Sequence, residues 1–282
     1  MSTLIPNPPH LQNLIEKISL AGKEYFHVVA DFDRTLTKAF VDGKPRSSLE
    51  SILEEGEYLG PEFSIQARKN FAKYYPIEID PNIPLEQKKE AMHEWWTIQF
   101  SLMLNAGLTR DAIKNTMESG MVNFRSWYED FFSLLKDNNI PLLIFSASGS
   151  WYEAIHYGLQ NKNKLSDNID IISNDFIRDE NGKAIGIKEP IIHSFNKDET
   201  VVRDLPIYQK IKERKNVLIL WDSPGDASMA DGFDYENIIK IWFLNNDTPE
   251  NRKLFQEKFD LIILDDGPMD EVNRILERIV AL

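Results

Sequence analysis

The apolar run Phe26-His27-Val28-Val29-Ala30 leads directly into Asp31-Phe32-Asp33-Arg34-Thr35-Leu36, and this stretch constrains the chain more than any other. A short, continuous, β-branched run suits a strand buried on both faces of a parallel sheet. Carboxylates at its exit fall where open α/β sheets carry their sites, outside the carboxyl ends of the strands. Residues two apart on an extended strand share a face, so Asp31 and Asp33 are expected to converge on one small volume. Two carboxylates that close repel unless a cation or a shared proton intervenes, which suggests a divalent metal, a general acid, or both. An isolated Asp-x-Asp is explained as well by a turn, where Asp is ordinary; the carboxylates farther along the chain weigh against that explanation.

The surrounding pattern supports a strand in that position. Leu11, Leu14, Ile15 and Ile18 repeat at helical spacing and lead into it. After Asn123 an amphipathic helix carrying Trp127, Phe131, Phe132, Leu134 and Leu135 precedes a second buried run, Leu142-Leu143-Ile144-Phe145. Further strands are expected over residues 169–172, 217–221, 238–243 and 261–264, with helices around 151–159, 206–213, 249–258 and 269–280. This alternation predicts an α/β fold, a doubly wound parallel sheet formed by residues 1–40 and 122–282 as a Rossmann-like core. Between these parts, residues 41–121 read as helices at 48–58, 61–74, 84–105 and 109–118, an inserted helical cap. Residues 176–188, with Asp179-Glu180-Asn181-Gly182 in the middle, predict a hairpin decorating a sheet edge.

Three further elements could act with the first carboxylates. Ser146 ends the second run just before a helix expected near Gly149, where a hydroxyl and backbone N–H groups can hold phosphate oxygens; a helix cap is the plainer alternative. Lys197 follows Phe195-Asn196. A lone Lys is ordinarily a solvated surface charge, but two Asp residues and a phosphate need a fixed cation. Leu218-Ile219-Leu220-Trp221-Asp222-Ser223-Pro224-Gly225-Asp226 ends another apolar strand in two carboxylates across a glycine-containing turn, suited to Mg²⁺ held by few protein ligands and several waters.

The Asp-x-Asp-x-Thr exit and the Ser, Lys and Asp elements, in that order, resemble the four motifs of the haloacid dehalogenase superfamily in its phosphatase form. The resemblance implies Asp31 as the nucleophile toward phosphorus, Asp33 as the acid that protonates the leaving group, and Thr35 as a support for the loop. At finer grain the chain is similar to the class III cytosolic pyrimidine 5′-nucleotidases. The similarity runs through Tyr74-Tyr75-Pro76-Ile77-Glu78-x-Asp80-Pro81, Glu94-Trp95, Ile144-Phe145-Ser146-Ala147, Phe195-Asn196-Lys197, Asp222-Ser223-x-Gly225-Asp226 and Met229-Ala230-Asp231-Gly232. It implies hydrolysis of nucleoside 5′-monophosphates, pyrimidine ones preferred, through an aspartyl-phosphate. Mg²⁺ would be held by Asp31, Asp33 and Asp222, with Asp226 supporting; phosphate by Ser146, Ala147 and Lys197; the nucleoside by Glu78 and Gln99. Trp221 stands where the family commonly has Gly and Gln99 where Ser is expected, which bears on base preference. A phosphatase for another small metabolite and a non-catalytic protein on the same fold are the alternatives. Trp95 and Trp96, adjacent on one helix, are not expected to share a face, and His193 reads as structural.

Composition narrows the partners. The 282 residues include 32 basic and 45 acidic ones, a net charge of −13, which argues against nucleic-acid polymers and anionic membranes. Absence of cysteine excludes disulfides and thiolate chemistry. The N-terminal residues are polar and proline-rich, with no apolar signal core. A cytoplasmic protein, monomeric, acting on a small phosphorylated molecule is the expectation.

Overall fold

The structure, a computed structural model, describes residues 3–45, 48–80, 82–147, 152–223, 229, 232–248, 252 and 258–281. Among these, seven strands form the main sheet: β1 (Thr3–Leu4), β2 (Phe26–Ala30), β5 (Leu142–Phe145), β6 (Ile169–Ile172), β9 (Asn216–Trp221), β10 (Asn237–Leu244) and β11 (Leu261–Leu264). Their order is β1-β11-β10-β9-β2-β5-β6. All neighbours run parallel except β1, which pairs antiparallel with β11. The chain builds outward from β2 to β5 and β6, then returns to β9 on the other side, so the topological switch lies at β2 and opens a crevice at the carboxyl ends there.

Alternation along the strands sorts side chains into two cores. Val28, Ala30, Leu142, Ile144, Leu218 and Leu220 face one, beneath α1 (Pro8–Ala21), α6 (Tyr128–Asp137) and α10 (Asp270–Val280). Val29, Leu143, Phe145, Val217, Ile219 and Trp221 face the other, with α9 (Pro206–Ile211). Period two with both faces apolar is what makes these runs read as continuous. Trp221, where a smaller residue was expected, packs tilted against Phe259 with ring centroids 5.0 Å apart and belongs to this second core.

Residues 41–121 are mainly helical, as expected: α2 (Leu49–Glu55), α3 (Pro61–Ile79), α4 (Leu85–Asn105) and α5 (Arg110–Glu118). Several details differ from the sequence reading. A short pair, β3 (Phe40–Val41) and β4 (Lys44–Pro45), turns at Gly43 with φ +71° and precedes α2. Helix α3 does not stop before Pro76 but runs a turn beyond it. Pro76 forgoes the bond to the carbonyl four residues back and crowds it, but its own carbonyl still accepts from the Asp80 amide at 3.2 Å, which closes the last turn. The hairpin β7 (Phe176–Arg178) and β8 (Ala184–Ile187) forms as expected, yet it is a separate two-stranded sheet and not an edge of the main one. The Ala184 amide donates to Leu108 O at 2.8 Å, which ties it to the helical segment. Trp95 and Trp96 do meet, with ring centroids 5.9 Å apart and planes 10° from parallel. Indoles are long enough to lean along the helix, and both are buried in an aromatic row with Tyr74 and Phe100. The helix expected at 249–258 and the turn at 148–151 lie mostly or wholly outside the described residues.

One buried group makes stability depend on pH. His27, fully buried on β2, is driven down to about 3, first by burial and next by the Arg214 charge. Its folded value lies below the unfolded 6.5, so the unfolded chain takes up a proton that the folded one refuses. The stabilisation is complete above pH 6.5 and drains as pH falls toward 3, by about 1.4 kcal/mol per pH unit. His27→Gln is therefore expected to flatten the loss of stability between pH 7 and pH 5 by about 2 kcal/mol, read from urea midpoints. An unchanged slope would place the acid sensitivity elsewhere.

Candidate active site

The carboxyl ends of β5, β2 and β9 lie side by side and carry Ser146, Asp31 and Asp222. The Asp31 amide donates to Leu220 O at 3.0 Å and extends the β2–β9 ladder one residue past the strand; the Ser146 amide does the same toward Ile172 O at 2.9 Å. Beyond Asp31 the chain leaves the sheet in a tight loop. The Thr37 amide donates to Phe32 O at 3.1 Å, and the Arg34 amide to Thr37 Oγ1 at 2.9 Å. Arg34 adopts φ +60°, a left-handed conformation that costs a non-glycine residue about 1–3 kcal/mol and is kept only where its surroundings enforce it. Thr35 is fully buried within this loop.

Strand β2 ends at Ala30, so Asp31 and Asp33 stand in the loop beyond it. Asp31 pairs with Lys197 Nζ at 2.7 Å. Asp33 instead accepts from the Leu49 amide at 3.2 Å, at the start of α2. The two carboxylates are thus held by different parts of the chain.

Lys197 is fully buried, and the loop that carries it is pinned by side-chain amides. The Asn174 side chain donates to Ile192 O and accepts from its amide, both at 2.8 Å; Asn196 Nδ2 donates to Ile191 O at 2.8 Å. His193 accepts from the Phe195 amide through Nδ1 at 3.2 Å. Burial first, then the His93 and Lys89 charges, drive it down to about 4, so the ring stays neutral and keeps that acceptor. That contact shapes the loop that carries Lys197.

Asp222 is pushed up to about 6: burial raises it most, the Arg34 charge pulls it back, and the Asp31 charge raises it again. Its Oδ2 lies 3.1 Å from Arg34 Nε and accepts from Asn245 Nδ2 at 3.3 Å. Asp226 lies outside the described residues. Among those described, no cluster of three or more His, Cys, Asp or Glu side chains is arranged around a metal position. Asp31 and Asp222, hard oxygen donors on adjacent strand ends, nevertheless suit Mg²⁺, which needs only one or two carboxylates and completes its shell with water and substrate oxygens.

Glu78, in the turn of α3 beyond Pro76, reaches the Lys197 loop, where Ser194 Oγ donates to its Oε1. Burial raises its carboxyl above the usual range, while the Ser194 hydrogen bond and the Arg34 and Lys88 charges oppose this. Lys88 Nζ donates to the Glu78 carbonyl at 2.7 Å. Gln99 is buried on α4, where its Oε1 accepts from Asn70 Nδ2 at 3.3 Å. Glu50, which the sequence did not single out, lies within electrostatic reach of Asp33. It is pushed up to about 8, first by burial and then by the Glu54 charge, with the Gln99 hydrogen bond opposing. Ala147 follows Ser146, half-buried beside the second core.

Arg125 and Asn245 also escaped the sequence reading. Arg125 is buried completely and donates to main-chain carbonyls of the Asp33 loop. A lone Arg in Phe124-Arg125-Ser126 carries no signal of that role, because its partners come from distant loops.

The fold is that of the haloacid dehalogenase-like phosphatases. The structure of a phospho-aspartyl intermediate analogue of phosphoserine phosphatase superposes with a TM-score of 0.53 at 18% identity, covering 88% of this chain and 96% of that one, a likeness that speaks for the fold alone. A crystal structure of cytosolic 5′-nucleotidase IIIB bound to cytidine superposes with a TM-score of 0.87 at 31% identity, covering 99% of this chain and 93% of that one. The 7-methylguanosine phosphate-specific 5′-nucleotidase A of Xenopus laevis is 33% identical over 98% of this chain and 94% of its own length. The Homo sapiens 7-methylguanosine phosphate-specific 5′-nucleotidase is 32% identical over 99% and 93%. The profile of the Pyrimidine 5′-nucleotidase (UMPH-1) family matches residues 34–280. The chain belongs to that family and is, by membership, a 5′-nucleotidase, a phosphoric monoester hydrolase. No helix among the described residues is long and apolar enough to cross a membrane.

Proposed function

We propose that this protein is a Mg²⁺-dependent, cytoplasmic, monomeric 5′-nucleotidase that hydrolyses nucleoside 5′-monophosphates, pyrimidine ones such as CMP and UMP preferred, under a helical cap formed by residues 41–121. The observation that carries the reading is the buried Asp31–Lys197 pair at 2.7 Å beside Asp222 on the neighbouring strand end. A buried ammonium against a carboxylate is costly to desolvate, and a site that binds a phosphate dianion next to two Asp residues has a use for it.

In this mechanism an Asp31 carboxylate oxygen forms a bond to phosphorus as the bond to the ribose 5′-oxygen breaks, giving an aspartyl-phosphate. Asp33 passes its proton to the departing 5′-oxygen, then accepts one from the water that attacks phosphorus and regenerates Asp31. Lys197 orients the nucleophile and neutralises charge spread over the phosphoryl oxygens, which Ser146 and Ala147 also bind. Asp31, the Asp33 carbonyl and Asp222, with Asp226 in support, would hold Mg²⁺, which would supply charge neutralisation and alignment of the phosphoryl group. Thr35 steadies the loop from its buried position. The cap excludes bulk water and brings Glu78 and Gln99 to the nucleoside.

A phosphate-release screen over nucleoside monophosphates, sugar phosphates and phosphoserine, with and without Mg²⁺, tests the reading. Rapid cleavage of sugar phosphates with nucleotides ignored would leave only a phosphatase core, and no release from any ester would support a non-catalytic protein. The family's pyrimidine name and the 7-methylguanosine names of the relatives make CMP and 7-methylguanosine monophosphate the two nucleotides to compare directly.

Glu78 is expected to govern this choice, since a cap carboxylate is tolerable near phosphate only if it faces the sugar or base, where it accepts hydrogen bonds from donor groups such as the cytosine amine. Glu78→Gln should lower nucleotide kcat/KM by roughly 10–100-fold, the worth of one or two hydrogen bonds to a charged group. Hydrolysis of p-nitrophenyl phosphate, which has no nucleoside, should change little. Equal losses on both substrates would move Glu78 out of the nucleoside site.

A further inference from the structure

Arg125 is a fully buried arginine whose donors all point to loops around the candidate site. Nε donates to Thr35 O at 2.7 Å, Nη1 to Gly267 O at 2.7 Å, and Nη2 to Arg34 O and, at 2.6 Å, to Asn245 Oδ1. Nη1 also lies 3.0 Å from Asp266 Oδ1, and the guanidinium sits 4.1 Å from the centre of the Phe243 ring. Asp266 in turn accepts from the Ala39 and Phe40 amides at 2.8 and 3.2 Å. The Arg125 amide itself donates to Leu36 O at 3.1 Å. One side chain therefore joins both crossings between the core and the helical segment to the Asp33 loop.

A guanidinium has donors and no acceptor, so whatever faces it must present an oxygen. Asn245 meets Arg125 through Oδ1, and this decides which way its amide points. Nδ2 is turned toward Arg34 O at 3.0 Å and Asp222 Oδ2 at 3.3 Å. We propose that Arg125 and Asn245 are positioning residues for the Mg²⁺ site: Arg125 locks the Asn245 amide so that its NH₂ group holds the Asp222 carboxylate in register with the Asp31–Asp33 loop. The inference rests on Asp222 as a metal ligand. Partners of a ligating carboxylate outside the metal's own shell typically contribute 10–100-fold to metal affinity.

The test uses the full chain and reads metal binding without turnover. Trp242 Nε1 donates to the Asp222 carbonyl at 2.8 Å, so tryptophan fluorescence reports on this strand end, and calorimetry with MgCl₂ gives the affinity independently. Asn245→Asp is nearly isosteric and keeps the acceptor toward Arg125 but loses both donations and sets a charge against Asp222. Asn245→Ala removes the amide altogether and adds no charge. Both are expected to weaken Mg²⁺ binding by roughly 10–100-fold while KM for the nucleotide at saturating Mg²⁺ changes less than about threefold. Arg125→Lys, which keeps the buried charge but cannot fork, should weaken binding in the same direction, and adding Asn245→Ala to it should cost little more, because the two act in series. Folded Asn245→Asp and Asn245→Ala proteins that bind Mg²⁺ as tightly as the parent would overturn the proposal. A parent protein that binds no Mg²⁺ would instead overturn the metal reading on which it rests.

Discussion

Asp31→Asn is expected to lower phosphate release by roughly 10⁴-fold or more, because an amide is a poor nucleophile and a poor metal ligand, and loss of a covalent nucleophile is among the costliest single changes to an enzyme. The substitution also has a consequence for stability that only the packing reveals. Lys197 is fully buried and holds Asp31 Oδ1 at 2.7 Å, so the change removes one negative partner of a buried ammonium. Breaking such a pair from one side costs about 3–5 kcal/mol, and the asparagine amide oxygen, which can still accept from Lys197, recovers part of it. The variant should therefore remain folded with a lowered urea midpoint. Activity assayed well below that midpoint separates the two effects, and near-normal turnover by the folded variant would exclude Asp31 as the nucleophile.

Removing divalent metal with a chelator should abolish turnover, and Asp222→Asn should lower it by roughly 10²–10³-fold at Mg²⁺ concentrations that saturate the parent, the scale of losing one preorganised electrostatic contact in the transition state. The buried position of Asp222 adds a pH signature. Its carboxyl is pushed up to about 6, with burial the largest cause, and a ligand carboxylate must lose its proton before it binds metal. Above pH 6 the apparent Mg²⁺ affinity should be level; below it, affinity should weaken by up to about tenfold per pH unit. Calorimetric titrations at pH 7.5, 6 and 5 measure this directly. A parent affinity that is flat across that range, or full activity in excess chelator, would contradict the role assigned to Asp222.

The parts of this protein that were legible in its sequence are those set by local periodicity. Runs such as 28–30, 142–145 and 217–221 are apolar at every position, which suits a sheet covered on both faces, and their short length and β-branched residues favour strands over helices. Strand ends in an open α/β fold are where ligands bind, so Asp31, Ser146 and Asp222 could be picked out as candidates from their places in the chain alone. The helical character of residues 41–121 was legible for the same reason. Other features depended on contacts between residues far apart in the chain. That Asp33 accepts from the Leu49 amide while Asp31 pairs with Lys197 could not be read from strand alternation, since both partners come from distant parts of the chain. Helix α3 passes Pro76, which a local rule reads as a stop, and so brings Glu78 to Ser194, 116 residues farther along the chain. Arg125, with carbonyl partners 90, 91 and 142 residues away, has no periodicity and no motif to mark it. Burying its charge is tolerable only because folding assembles carbonyls and a carboxylate around it, so its role exists in the tertiary structure and nowhere in the local sequence.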